Sequence, residues 1–214
     1  MAEERPALPV ADPAPLGLAA FALTTFVLSA HNALGAATAP LLAVFGFAIF
    51  YGGLAQFAAG MWEFRNRNVF GATAFSTYGG FWLGVGVLLI LVVTGKVAGK
   101  DLSQSLGWIL LAFAIFNTYM LVWSSRINMA VFAVFLTLEI TEILLFIGNF
   151  SGNAAGTGLV SIGGWVGILT ALVAWYASAA GVVNGMAGRP VLPVGGPLWS
   201  AEGSAAAPAS PVEA

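Results

Sequence analysis

Glu139 and Glu142 stand three residues apart in the stretch FLTLEITEILLFIGN, 135–149, which is otherwise largely apolar. An ionised carboxylate is costly in such a run, and acids placed there mark a solute pathway or a proton site. Helical spacing puts Glu142 on the same face as Leu138, four residues earlier, with Glu139 offset by one residue. Two structural arrangements compete with a functional one: a protonated pair sharing hydrogen bonds between helices, or contacts at a subunit interface. His31, the one histidine, reads as a proton relay or as a satisfied interhelical hydrogen bond near a helix end. Gln56, deep in another apolar run, contacts a solute or ties helices together. Glu63, close to Arg65 and Arg67, reads as a solvated charge or a local ion pair.

The elements that must position these groups are membrane helices. Of 214 residues, 59% are hydrophobic and 7% charged, with a mean hydropathy of +0.93, whereas an ordinary soluble domain is about 25% charged. Six apolar blocks, near 16–37, 40–62, 70–94, 106–124, 129–149 and 158–183, are each long enough to cross a bilayer and are bounded by Gly, Pro, Asn or charge. The expected fold is therefore an all-α integral membrane protein, a six-helix bundle over 15–188, with antiparallel neighbours joined by short loops. The longest loop is GKVAGKDLSQS, after Thr94. A flexible N-terminus, 1–14, and a Gly, Ala, Pro and Ser-rich tail, 189–214, flank the bundle; the tail is expected to be largely disordered.

With both termini cytoplasmic, Arg5, Arg65, Arg67, Arg126 and Arg189 lie inside and Lys96 and Lys100 outside, which agrees with the positive-inside bias. The N-terminus lacks the basic and short apolar regions of a secretory signal. Seven scattered basic residues and a net charge of −2 form no stripe that would neutralise phosphates, so nucleic acid is not a partner. The sequence has no cysteine, one histidine and no metal-ligand cluster, so it calls for no cofactor, metal or enzymatic activity. Small residues four apart, Gly80 with Gly84, Gly163 with Gly167 and Gly181 with Gly185, allow close helix packing within or between subunits.

The first block opens with DPAPLGLAAF, 12–21. Asp12 suits an N-cap, Pro13 the first helical position and Pro15 the first turn. A capped helix start leaves Ala14, Leu16, Gly17, Leu18 and Phe21 unexplained, however. The stretch resembles the signature Asn-Pro-Ala-Pro-Leu-Gly-Leu-x-x-Phe of the acetate uptake transporter family, also called the YaaH-like or succinate-acetate permease family. HNA at 31–33, FYGGLAQFAAGMWEF at 50–64, NVFGATAFSTYGGFW at 68–82, IGNFSGN at 147–153 and NGMAGRPVLPVG at 184–195 follow in the family's order. The similarity covers nearly all of 12–195. Asp12 departs from the signature asparagine: the cap survives, while an added negative charge at a mouth would weaken anion entry.

The resemblance implies a six-helix subunit with its own narrow pore, assembled as a homohexameric ring in the cell membrane, moving acetate, succinate or similar short carboxylates. It also implies a constriction of Phe21, Tyr78 and Leu138. For such a substrate the obstacle is desolvation of the carboxylate, which needs donors near the constriction or a proton on the substrate. Candidates along the pathway are Thr24, Thr25, His31, Asn32, Gln56, Ser76, Thr77, Tyr78 and Asn117. The resemblance assigns Glu139 and Glu142 no role. The expectation drawn from the residues is that Glu142, beside Glu139, binds a proton that travels with acetate. A passive pore for small neutral solutes and a non-transporting, acetate-responsive membrane sensor are the alternatives.

Overall fold

The computed structural model describes residues 10–96 and 98–199, so expectations for 1–9 and 200–214 lie outside the described residues. Among the described residues the regular elements are all helical. The helices are α1 (Ala14–Leu34), α2 (Leu42–Ile49), a π-helical segment (Phe50–Ala55), α3 (Gln56–Arg65), α4 (Val69–Val93), α5 (Gly99–Ser124), α6 (Met129–Phe150) and α7 (Gly158–Ala187). Because α2, the π segment and α3 run as one continuous span, the described residues hold six helices long and apolar enough to cross a membrane.

The spans close into a ring in chain order. Each packs on the next, and α7 returns to pack along α1. Small residues set the closest approaches. Gly163 faces Leu145, Gly167 faces Ser29 and Gly181 faces Pro15, whereas Gly80, Gly84 and Gly185 point into open space. Two of the three small-residue pairs thus work at least partly inside the bundle, and Gly80 with Gly84 does not.

Asparagines mark several helix starts. Asn68 Oδ1 accepts from Gly71 N at 3.0 Å, and Asn128 Oδ1 accepts from Val131 N at 2.9 Å, each satisfying an amide that the helix cannot. The first helix begins one residue later than its sequence predicts. Pro13 is the N-cap, and Asp12 sits before it, accepting from Ala14 N at 2.9 Å. A proline cap has no side-chain acceptor, so the aspartate reaches across it.

Other boundaries move for identifiable reasons. Gly35, at φ +81°, ends α1 three residues before the predicted 37. The predicted loop GKVAGKDLSQS is mostly helix, because α5 starts at Gly99 and draws Asp101 into its first turn, where an acid suits the helix dipole. The second block is not one α-helix: its Gly52 and Gly53 sit inside the π segment. A Cβ on Gly52 would strike Thr24 and the Trp82 ring, so α1 and α4 come close to this bare stretch of backbone.

The tail, expected to be disordered from residue 189, is instead tied down as far as Trp199. Asn184 Oδ1 accepts from Val191 N and Leu192 N at 2.7 and 2.9 Å, and its amide donates to Leu192 O. Val194 O accepts from Ala130 N, Leu198 N donates to Ser125 O, and Trp199 Nε1 donates to Ser125 Oγ at 2.7 Å. Arg126 lies over the Trp199 ring, 5.1 Å from its centroid. The Pro- and Gly-rich composition of 189–199 conceals these backbone anchors. Asn184→Ala is expected to release the segment, since three hydrogen bonds of about 1 kcal/mol each are lost. Limited proteolysis should then cut between residues 189 and 199 faster than in the wild type.

Candidate functional site

Four spaces follow one another through the ring. The first is a vestibule of about 360 Å³ at the end where the described termini meet, lined by residues including Asp12, Pro15, Asn66, Asn128, Asn184 and Val194. It shares Leu18, Ala74 and Phe135 with a gap of about 20 Å³ that also touches Gln56. Beyond lies a second gap of about 40 Å³, lined by Thr25, Asn32, Trp82 and Glu142 among others. The fourth is a vestibule of about 180 Å³ at the far end, which shares Leu28, Asn32, Phe81 and Leu110 with that gap. The two central gaps have three residues in common: Phe21, Tyr78 and Leu138.

These three come from α1, α4 and α6, and each is 4 to 5% exposed. The Phe21 ring meets Tyr78 edge-on, with centroids 5.8 Å apart. Tyr78 also packs against Phe113 and Phe116 of α5 at 5.5 and 5.6 Å, so the phenol is held on several sides by rings. Phe113 and Phe116 lie one helical turn apart; that spacing is the signal in the sequence that could have revealed them.

Behind Tyr78 runs a hydrogen-bonded chain. The Tyr78 hydroxyl lies 3.0 Å from Asn117 Oδ1 and 3.2 Å from Glu142 Oε1. Asn117 Nδ2 donates to Phe135 O at 3.0 Å and to Glu139 Oε2 at 2.7 Å, while Glu139 Oε1 accepts from Thr118 Oγ1 at 2.8 Å. The two acids are thus linked through α4 and α5 rather than directly to each other. Glu142 is 4% exposed, and its Oε2 has no partner. Thr25 Oγ1, Gln56 Oε1 and Trp82 Nε1 are likewise buried without partners, and all three residues line the central gaps. Buried polar atoms are normally satisfied, so this concentration is a property of the site.

The other candidates scatter. Thr24 donates to Ala20 O at 2.5 Å and packs on Gly52, away from the four spaces. His31 lines the far vestibule, but its Nδ1 bonds Ala39 O at 2.8 Å across the loop after α1 rather than a neighbouring helix. Ser76 packs against Gly60 of α3, and Thr77 is outside the lining of all four spaces. In the signature, Asp12, Ala14, Pro15 and Leu18 line the near vestibule, Gly17 seats the Phe75 ring, Pro13 is the cap and Leu16 faces outward. Glu63 corrects an expectation. Rather than a solvated charge or a partner of Arg65, it is fully buried against Gly71, accepting from Asn66 Nδ2 at 3.1 Å. Its neighbours in sequence are cationic, but the helix turns it inward.

Comparison with known proteins places this architecture. The chain is 42% identical over 178 residues to "Ammonia transport outward protein 2" of Saccharomyces cerevisiae, covering 81% of this chain and 62% of the yeast protein. With the "Succinate-acetate/proton symporter SatP" of Escherichia coli it shares 37% identity over 186 residues, covering 87% of this chain and 96% of the other. A solved structure entitled "Structure of the bacterial acetate channel SatP" superposes with a TM-score of 0.79 at 36% identity, over 87% of this chain and 99% of that one. The profile of the GPR1/FUN34/yaaH family matches residues 2–194. Six apolar spans ringed around a Phe21, Tyr78 and Leu138 cluster, with likeness to these proteins over most of the chain, lead to one assignment: the chain belongs to the GPR1/FUN34/yaaH family.

Proposed function

We propose that this protein carries acetate and similar short carboxylates across the cell membrane, through a pathway within each subunit that closes at Phe21, Tyr78 and Leu138. The observation that carries the reading is the row of four spaces pinched where those three side chains alone line both central gaps. The names of the bacterial relative and of the solved structure give the substrate class. The chemistry suits it. A narrow apolar closure resists water and ions, and the positive edge of an aromatic ring can meet a carboxylate while its body packs a methyl group. Unpartnered Thr25 Oγ1 and Trp82 Nε1 offer hydrogen bonds to a carboxylate that has shed water.

Both described chain ends meet at the near vestibule, and Arg65, Arg67 and Arg126 follow or precede residues that line it. That distribution supports cytoplasmic termini, with arginines flanking a mouth whose one charged lining residue is Asp12. Assembly as a homohexamer belongs to the same proposal, with the outward-facing Gly80 and Gly84 open to lipid or a neighbouring subunit. The test is initial uptake of radiolabelled acetate by proteoliposomes, net of protein-free vesicles because undissociated acetic acid crosses lipid unaided. Saturable excess uptake, inhibited by unlabelled acetate, is expected; its absence overturns the reading in favour of a sensor. A second reading follows from the apolar closure and the name of the yeast relative: passage of a small neutral solute such as ammonia. Rapid internal alkalinisation by ammonium without acetate uptake would support that instead.

A further inference from the structure

The hydrogens around Tyr78 can be counted. Asn117 spends both amide hydrogens, on Phe135 O and on Glu139 Oε2. The atom it presents to Tyr78 is therefore its oxygen, which can only accept. Glu139 Oε2 accepts from Asn117, while its Oε1 lies 2.8 Å from Thr118 Oγ1, whose single hydrogen is also within reach of Ala114 O. Tyr78 has a single hydroxyl hydrogen but two acceptors within reach, Asn117 Oδ1 at 3.0 Å and Glu142 Oε1 at 3.2 Å. Both contacts are hydrogen bonds only if Glu142 brings a hydrogen of its own. The direction is then fixed along the chain: Glu142 donates to Tyr78, Tyr78 to Asn117, and Asn117 to Glu139.

We propose that Glu142 is the site where the protein holds a proton beside its closure and shares it with a passing carboxylate, and that Asn117 and Glu139 are positioning residues that aim Tyr78 to accept a hydrogen bond from Glu142. This rests on the transport reading and adds to it the atoms that carry the proton. The second observation is the unpartnered, buried Glu142 Oε2 in a residue lining the 40 Å³ gap. The titratable groups facing Glu142 are Tyr78 from α4 and Glu139 from its own helix. From α1 come Thr25, Ser29 and Asn32, from α5 Leu110, and on the α7 side Thr170 is bonded to Thr141; no cation or histidine lines the gap.

The step balances. The O–H bond of Glu142 breaks as an O–H bond forms on the solute carboxylate, which passes the aromatic closure as a neutral acid. Neutrality removes most of the cost of leaving water. Glu142, left ionised, accepts a hydrogen bond from the Tyr78 hydroxyl, whose hydrogen rotates away from Asn117 about the C–O bond. A proton arriving from a vestibule restores the original chain. Tyr78 therefore serves both states of Glu142 without moving its ring.

Two measurements on the full-length protein test this. In proteoliposomes, a one-unit inward pH gradient coupled to one proton offers a driving force equivalent to about tenfold. The wild type is expected to respond to it with faster net uptake. Glu142→Gln, whose amide still donates to Tyr78 but has no proton to give, is expected to lose the response. An unaltered response overturns the proposal. Infrared difference spectroscopy of the purified protein, without substrate, should show the carbonyl band of a neutral buried carboxylic acid. That band should vanish in Glu142→Gln and shift in Asn117→Leu, which a merely structural role for Asn117 would not produce. A band unaffected by Glu142→Gln also overturns the proposal. A wild type that moves no acetate defeats the transport reading alone, because the band still decides where the proton sits.

Discussion

Phe21→Ala is expected to admit carboxylates several carbons longer than acetate. The ring lines both central gaps and closes edge-on against Tyr78, so its removal joins the 20 and 40 Å³ spaces into one. An apolar site discriminates by about tenfold or more for each methylene it refuses, and much of that refusal rests on one ring here. The ratio of butyrate to acetate uptake in proteoliposomes should rise by about tenfold or more. Acetate flux should persist, because the unpartnered groups of Thr25 and Trp82 lie beyond the ring and are untouched. A ratio equal to that of the wild type would mean that closure is not made at Phe21.

Gly164→Ala should be the most damaging of the single-methyl additions considered. A Cβ there would fall on the Ala33 backbone nitrogen and lie 2.7 Å from Ala33 Cα and 2.8 Å from Asn32 C. Backbone atoms cannot swing aside as a side-chain tip can, so α7 must move away from α1. Such overpacking costs about 1–3 kcal/mol or more. The displacement would also strain Ser161 Oγ donating to Ala33 O at 2.9 Å and Gly156 N donating to Asn32 O at 2.8 Å. The thermal midpoint in detergent should fall by about 2–4 °C for each kcal/mol, as expected at this chain length. Gly185→Ala, on the same helix but meeting nothing within 4 Å, should leave the midpoint close to wild type. Equal midpoints for the two variants would show that the α1–α7 approach does not limit stability.

Much of this architecture is legible before any coordinates. Six spans can be counted from hydropathy, because crossing a bilayer imposes a length and a composition on each helix. Phe21, Tyr78 and Leu138 follow from resemblance, and the structure brings them together. What the sequence hides is mostly phase and partnership. Glu63 looks exposed because Arg65 and Arg67 are near it in sequence, yet helical rotation faces it toward Gly71. Glu139 and Glu142 look like a pair on one helix, while their link runs through Asn117 and Tyr78 on two others. Such a link depends on which helices are neighbours, and periodicity within one helix carries no such information. The ordered part of the tail is hidden for a similar reason: its partners are Ser125 and Ala130, more than sixty residues away.

The π-helical turn at Phe50–Ala55 bears on how this span tolerates insertions and deletions. In an α-helix, one residue more or less rotates everything beyond it by about 100°, since a turn holds about 3.6 residues. A π turn absorbs one extra residue locally and leaves the downstream face where it was. Removing a single residue from 50–55 would let the span relax to a plain α-helix, with Gln56, Ala59, Gly60 and Glu63 still turned inward. The same removal within Gln56–Arg65 would rotate the positions that follow it out of register with α4. In lineages of this family, single-residue length changes in the second span should therefore concentrate at the glycine pair.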